Sequence, residues 1–210
     1  MFNAVSKHLP LLSAMVIGTA VLLWGYNRSN QNADSGGSEL LERPAISVQL
    51  PKELAALVDG LYADASSDRA YAASRLKELG PAATATVPYL IDRLGDPSGL
   101  VRRQAAEALG RLGDVQAAAP LTEILKDRDG DWSVRAAAAL SLGQLGEPEA
   151  VEVLVSVRND MNAHVRHMAV IALGLIGTPD TREPLAAALG DSDAATRFSA
   201  AIALEKLTSS

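Results

Sequence analysis

Val101-Arg102-Arg103-Gln104-Ala105-Ala106-Glu107-Ala108-Leu109-Gly110-Arg111-Leu112-Gly113 is the stretch that decides the fold. Ala105, Ala106, Leu109 and Leu112 recur at helical spacing and make one wide apolar stripe. The glycine that follows Leu112 is the residue that closes a helix with a left-handed turn. The same phrase runs from Asp68-Arg69 to Gly80, from Val134-Arg135 to Gly146, from Val165-Arg166 to Gly177 and from Thr196-Arg197 to Leu207. Its arginines, at 69, 102, 135, 166 and 197, are 33, 33, 31 and 31 residues apart. Repetition at that period is the mark of one supersecondary unit stacked on itself.

Each phrase reads as the first helix of a hairpin. Glu147-Pro148 and Thr178-Pro179-Asp180 turn the chain after the closing glycines. Return helices then carry Leu90, Ile91 and Leu94, then Leu121, Ile124 and Leu125, then Val151, Leu154, Val155 and Val157, then Leu185 and Leu189. Pro88, Pro120 and Pro184 stand near the first turn of three of them, where a missing N–H does least harm. Pro51 to Leu61 reads as an extra amphipathic helix covering the first hairpin, as an open-ended stack requires. The expected fold over 51–210 is therefore all-α, a solenoid of about five helical hairpins.

What precedes it has a different character. Leu9 to Tyr26 is 18 residues without a charge, about 27 Å as a helix and enough to cross a thin hydrocarbon core. Lys7 and Arg28 flank it, and Trp24 and Tyr26 sit where interfacial aromatics belong. The small residues Gly18-Thr19-Ala20 lie inside the apolar run and not beyond it, so a signal anchor is expected in place of a cleaved signal peptide. The organisation expected is a tail at 1–8, a transmembrane helix at 9–26, a flexible linker at 27–50 and the repeats at 51–210. A short tail before a single span stays in the cytoplasm, which places the repeats outside it, in a periplasm for a Gram-negative cell. Ser29 to Ser38 has nothing to bury, and a linker of roughly two dozen such residues averages about 25–30 Å end to end.

Composition narrows the function. Ala and Leu dominate and only 4% of residues are aromatic, which favours closely packed helices over sheet. There are 19 basic and 25 acidic residues; the first fifty carry three of each sign, leaving 16 against 22 in the repeats. An acidic surface without a basic stripe repels polyphosphate, so no nucleic-acid partner is expected. Cysteine is absent, which excludes disulfides, thiolate chemistry and a lipidated N-terminal cysteine.

The pattern D-x-x-x-V-R followed by x-x-A-A-x-A-L-G-x-L-G resembles the HEAT-like repeats first noted in phycobilisome lyases. The likeness covers about Asp68 to Leu207. An aspartate stands six residues before the arginine in Asp96/Arg102, Asp129/Arg135, Asp160/Arg166 and Asp191/Arg197. The resemblance implies that these residues, with Arg69, form a ladder joining successive hairpins. A guanidinium at the start of a helix can meet a carboxylate and the carbonyl ends of the preceding helix.

Several HEAT-like proteins are enzymes, and their signatures are missing here. Deoxyhypusine hydroxylases hold two irons with His-Glu pairs directly after the V-R. The corresponding positions are Ala70-Tyr71, Arg103-Gln104, Ala136-Ala137, His167-Met168 and Phe198-Ser199, one histidine and no glutamate, too few ligands for a di-iron centre. His164 and His167 lack a third ligand. Asp127 to Asp131 has alternate carboxylates, yet its glycine comes early, Trp132 occupies the sixth position and Ala138 stands where the bidentate glutamate should be, so a slightly enlarged connection is expected. Bilin lyase activity would rest on the repeat alone, and a glycosylase would need a basic, aromatic-lined face.

The expectation is thus a non-enzymatic, membrane-anchored scaffold that binds a protein or peptide, with no cofactor, metal or small-molecule substrate; the alternative is a HEAT-like enzyme or metal protein. Stacked hairpins vary at their surface while packing positions stay fixed. The candidate partner contacts are Arg103, Gln104, Trp132, His164, His167 and Phe198.

Overall fold

A long helix followed by a short one is the unit that the repeated phrase dictates, because Ala and Leu sustain a helix and the glycine ends it. The computed structural model of the chain describes residues 49–209. Among them are ten α-helices and no strand. Five are long: α2 Ser66–Leu79, α4 Gly99–Leu112, α6 Trp132–Leu145, α8 Ala163–Ile176 and α10 Ala194–Thr208. Five are short: α1 Lys52–Gly60, α3 Val87–Arg93, α5 Ala118–Lys126, α7 Ala150–Ser156 and α9 Arg182–Ala188. Short 3-10 segments at Gly80–Thr86, Val115–Ala117 and Pro179–Thr181 join some long helices to the short ones after them.

Local chemistry sets the helix ends. Asp131, Asn162 and Asp193 occupy the N-caps of α6, α8 and α10, where their side chains accept from the backbone N–H of Ser133, His164 and Thr196. Such caps satisfy donors that the first turn leaves unpaired. Gly113, Gly146 and Gly177 close α4, α6 and α8 with φ of 74°, 73° and 64°. Gly80 also has positive φ, 55°, but its ψ of −137° sends the chain straight into the 3-10 segment.

The long helices pack chiefly on one another in a single row, α2 on α4 on α6 on α8 on α10. Leu76, Leu109, Leu142 and Leu173, seven residues after each arginine, are buried in the seam, as are Ala73, Ala106 and Ala139, four after it. The short helices form a second layer.

Each short helix packs more against the long helix that follows than against the one that precedes it. This corrects the reading of Pro51 to Leu61 as an added cap. Helix α1 is the short member of the first pair, its Leu54 and Val58 and the following Leu61 buried like their counterparts. The described residues form five complete short–long pairs.

The tail, the span at 9–26 and nearly all of the linker at 27–50 lie outside the described residues. No described helix is long and apolar enough to cross a membrane.

Candidate interaction surface

The first structural duty of the arginines is to bind their own connection. Arg102, Arg166 and Arg197 donate from Nη1 to the carbonyls of Asp96, Asp160 and Asp191 at 2.8, 2.9 and 2.7 Å. The aspartate six residues before each arginine thus offers its carbonyl, and its carboxylate faces the other way. That carboxylate receives the arginine of the preceding pair. Arg69 Nε and Nη2 donate to Asp96 at 2.7 and 2.9 Å. Arg166 does the same to Asp191 at 2.8 and 2.9 Å, and Arg135 Nη2 reaches both oxygens of Asp160 at 3.1 Å. The side-chain partners are therefore 27, 25 and 25 residues apart, which corrects the six-residue pairing. The fork of a guanidinium makes this division possible: one nitrogen closes its own loop while the opposite edge grips the next.

Each gripped aspartate also accepts a backbone N–H two residues later, from Ser98, Asn162 or Asp193. The hydrogen bond from Arg166, more than any other influence, holds the Asp191 carboxyl below the usual carboxylate range, and the same bond raises Arg166.

One rung differs. Asp129 is exposed and is not gripped by Arg102, although it stands at the same 27-residue separation as Asp96 from Arg69. In the enlarged connection Gly130 turns back to the Asp127 carbonyl at 3.1 Å, and Arg135 bonds the carbonyls of Arg128 and Gly130, bypassing Asp129. Asp131 faces Arg102 instead, while Ser133 supplies the bonds that hold its carboxyl low.

The first rung carries an additional cation. Arg93 is buried, with its guanidinium carbon 4.3 Å from the centre of the Tyr62 ring, and it bridges Asp92 at 2.5 Å and Asp96 at 3.5 Å. Repeat logic misses it, since the corresponding positions in the later connections are Lys126, which is exposed and pairs with Glu123, then Val157 and Ala188.

Between rungs, small residues let helix backbones approach. A Cβ built on Gly143 would collide with Ala172 Cα, and one on Gly110 or Gly174 would lie 2.6 or 2.7 Å from the Cβ of Ser141 or Ala203. Ser141 also donates to the Ala106 carbonyl across the seam at 2.8 Å.

On the outer edge, three of the expected contact residues come together. The Trp132 ring on α6 meets His164 on α8 edge-on with centres 5.8 Å apart, His164 is 6.5 Å from His167, and His167 Nε2 lies 2.8 Å from Ser199 Oγ on α10. The row crosses three pairs. Trp132 is 49% exposed, and half-buried Leu140, Met168 and Ile171 lie along the same helices. Earlier pairs present charge in its place: Arg103 bonds Glu107 at 3.1 Å, and Lys77 donates to Gln104 and Glu107 at 3.1 and 2.7 Å. Phe198 stands apart on the terminal helix, 67% exposed. Among the described residues, no three His, Cys, Asp or Glu side chains converge on a point that could hold a metal.

Comparison with known families matches HEAT repeats over residues 54–132 and 152–210, and the PBS lyase HEAT-like repeat over 134–160. The chain belongs to the HEAT repeat family. No curated protein matches it. Among solved structures, this HEAT protein is similar to the complex of CpcE and CpcF of phycocyanin lyase from Nostoc sp., with 26% identity, a TM-score of 0.66 and coverage of 84% of this chain and 71% of that one. It shares its fold with an engineered protein at 23% identity and TM-score 0.61, covering 76% and 81% of the two chains. It also shares it with a designed armadillo repeat protein in complex with the peptide (KR)4, at 19% identity and TM-score 0.58, covering 73% and 81%.

Proposed function

We propose that this HEAT protein is a non-enzymatic scaffold held at a membrane by residues 9–26, which binds a protein or peptide along the row Trp132–His164–His167. The row itself supports this reading: an aromatic ring and two imidazoles are lined up across two successive pairs, His167 carries the row to Ser199 on a third, and half-buried Leu140, Met168 and Ile171 lie on the same helices. Ordinary packing does not need an exposed tryptophan, and indole with neighbouring apolar surface is the composition of binding hot spots. The partner this chemistry fits presents apolar side chains with hydrogen-bonding groups for the imidazoles. A lyase or metal-enzyme reading has support only from the shared repeat, because fold does not carry function.

Affinity capture from membranes tests it, comparing the natural chain with a Trp132→Ala, His167→Ala double variant. Loss of one or more specific partners is expected, and an identical partner set from equally abundant protein removes the proposed face.

A further inference from the structure

The two ends of the described stack, at α1–α2 and at α10, are complementary to each other. On α10 the positions that are covered in earlier pairs lie open: Ala201 is exposed where Ala73, Ala106 and Ala139 are fully buried, and Phe198 and Ile202 are 67% and 51% exposed. Arg197 binds the carbonyls of Asp191 and Ser192 at 2.7 and 2.9 Å, yet among the described residues no carboxylate takes its outer edge as Asp191 takes that of Arg166. At the other end Asp64 is exposed, and among the described residues its carboxylate acts on Arg69 through charge and takes no arginine hydrogen bond.

Internal register says what would meet if α1 and α2 of another molecule followed α10. Asp64 stands five residues before Arg69, the place that Ser192 holds before Arg197, and Ser192 Oγ lies 3.1 Å from Arg166 Nη2; Asp64 therefore falls within reach of Arg197. His167 meets Ser199, one residue past one arginine against two past the next; the same offset brings Phe198 to Tyr71, itself 66% exposed. Gly110, Gly143 and Gly174 meet Ser141, Ala172 and Ala203, and that offset brings Glu205 to Arg75. One register thus brings Arg197 to Asp64 and Phe198 to Tyr71, and sets Glu205 beside Arg75, which already pairs with Glu78 on its own helix.

We infer that the end face of α10 docks the α1–α2 face of a second copy of this chain, head to tail. The contact is heterologous, so it builds open rows unless the rotation per copy closes a ring. Glu205 and Arg75 replace the small residues that let internal helices touch, so the seam between copies is wider than those within a copy and the association is reversible. This inference is independent of the Trp132 face.

Because the natural chain has no cysteine, cross-linking of the full-length protein in its membrane is a clean test. Mixing Phe198→Cys with Tyr71→Cys chains under mild oxidation is expected to give a mixed disulfide dimer, well above the homodimer of either variant. Adding Arg197→Glu lowers that yield by about tenfold through like-charge opposition to Asp64, and Asp64→Arg in the partner chain restores it. The inference is overturned if the mixed dimer does not exceed the homodimers, if charge reversal leaves the yield unchanged, or if the thiol introduced at position 198 is instead occupied by a different protein or by residues 1–48 of its own chain.

Discussion

Arg69 and Asp96 meet edge to edge at 2.7 and 2.9 Å across the boundary between the first and second pairs, and the carboxylate is fully buried. Arg93 leans on the same oxygen at 3.5 Å. Two guanidinium groups therefore share one aspartate, and Arg93 holds Asp92 as well.

Asp96→Ala leaves Arg69 without its carboxylate and leaves Arg93 only Asp92, so a loss of about 3–5 kcal/mol is expected, the scale for breaking a buried ion pair. Asp129→Ala, at an exposed position outside the rungs, should stay within about 0.5 kcal/mol. Urea unfolding of the two variants side by side measures the contrast.

Gly143→Ala should destabilise by about 1–3 kcal/mol, because its new methyl collides with the α8 backbone at Ala172 and overpacking forces a shift. Gly146→Ala should cost about 1–2 kcal/mol for a different reason, a Cβ held at φ 73° in the left-handed region. Ala172→Gly, which removes part of the obstacle, is expected to rescue the first variant in part and the second not at all in thermal unfolding.

Acid should weaken the stack through its gripped aspartates. The folded Asp191 carboxyl lies below its ordinary value because Arg166 binds it, against about 3.9 for an unfolded aspartate. Stability from this group is then complete above the unfolded value and disappears as pH falls through the folded one. Asp191→Asn should be less stable than the natural chain at neutral pH, with the gap closing at the acid end of a pH series of unfolding midpoints.

A periplasm-active reporter fused after Ser210 should be on in a Gram-negative host, given one uncharged run from Leu9 to Tyr26 behind a short tail. A silent but stable fusion places the repeats in the cytoplasm.

Much of this was legible because it repeats. The Ala/Leu stripe, the closing glycines at 113, 146 and 177 and the five arginines all follow from one phrase read five times. Sequence spacing misassigned the carboxylates, since an aspartate six residues before an arginine looks like its partner, whereas the chain folds so that its carbonyl faces that arginine and its side chain the previous one. The helix over Pro51 to Leu61 is legible in the sequence; its place as the short member of a pair is not, because the repeated phrase makes each long helix look like the start of a unit. Arg93 and the Asp131 substitution occur once each, and repetition says nothing about single departures. Trp132, His164 and His167 could be picked as variable positions, but their alignment into one row depends on the stacking offset between α6 and α8.

Photo-crosslinking from that row addresses the binding function most directly. A photoreactive phenylalanine analogue at position 132, and separately at 164, is expected to capture the same membrane or extracytoplasmic protein, while the analogue at exposed Glu123 on the short-helix layer captures none. Equal labelling from all three positions, or none from 132 and 164 in folded protein, would contradict it.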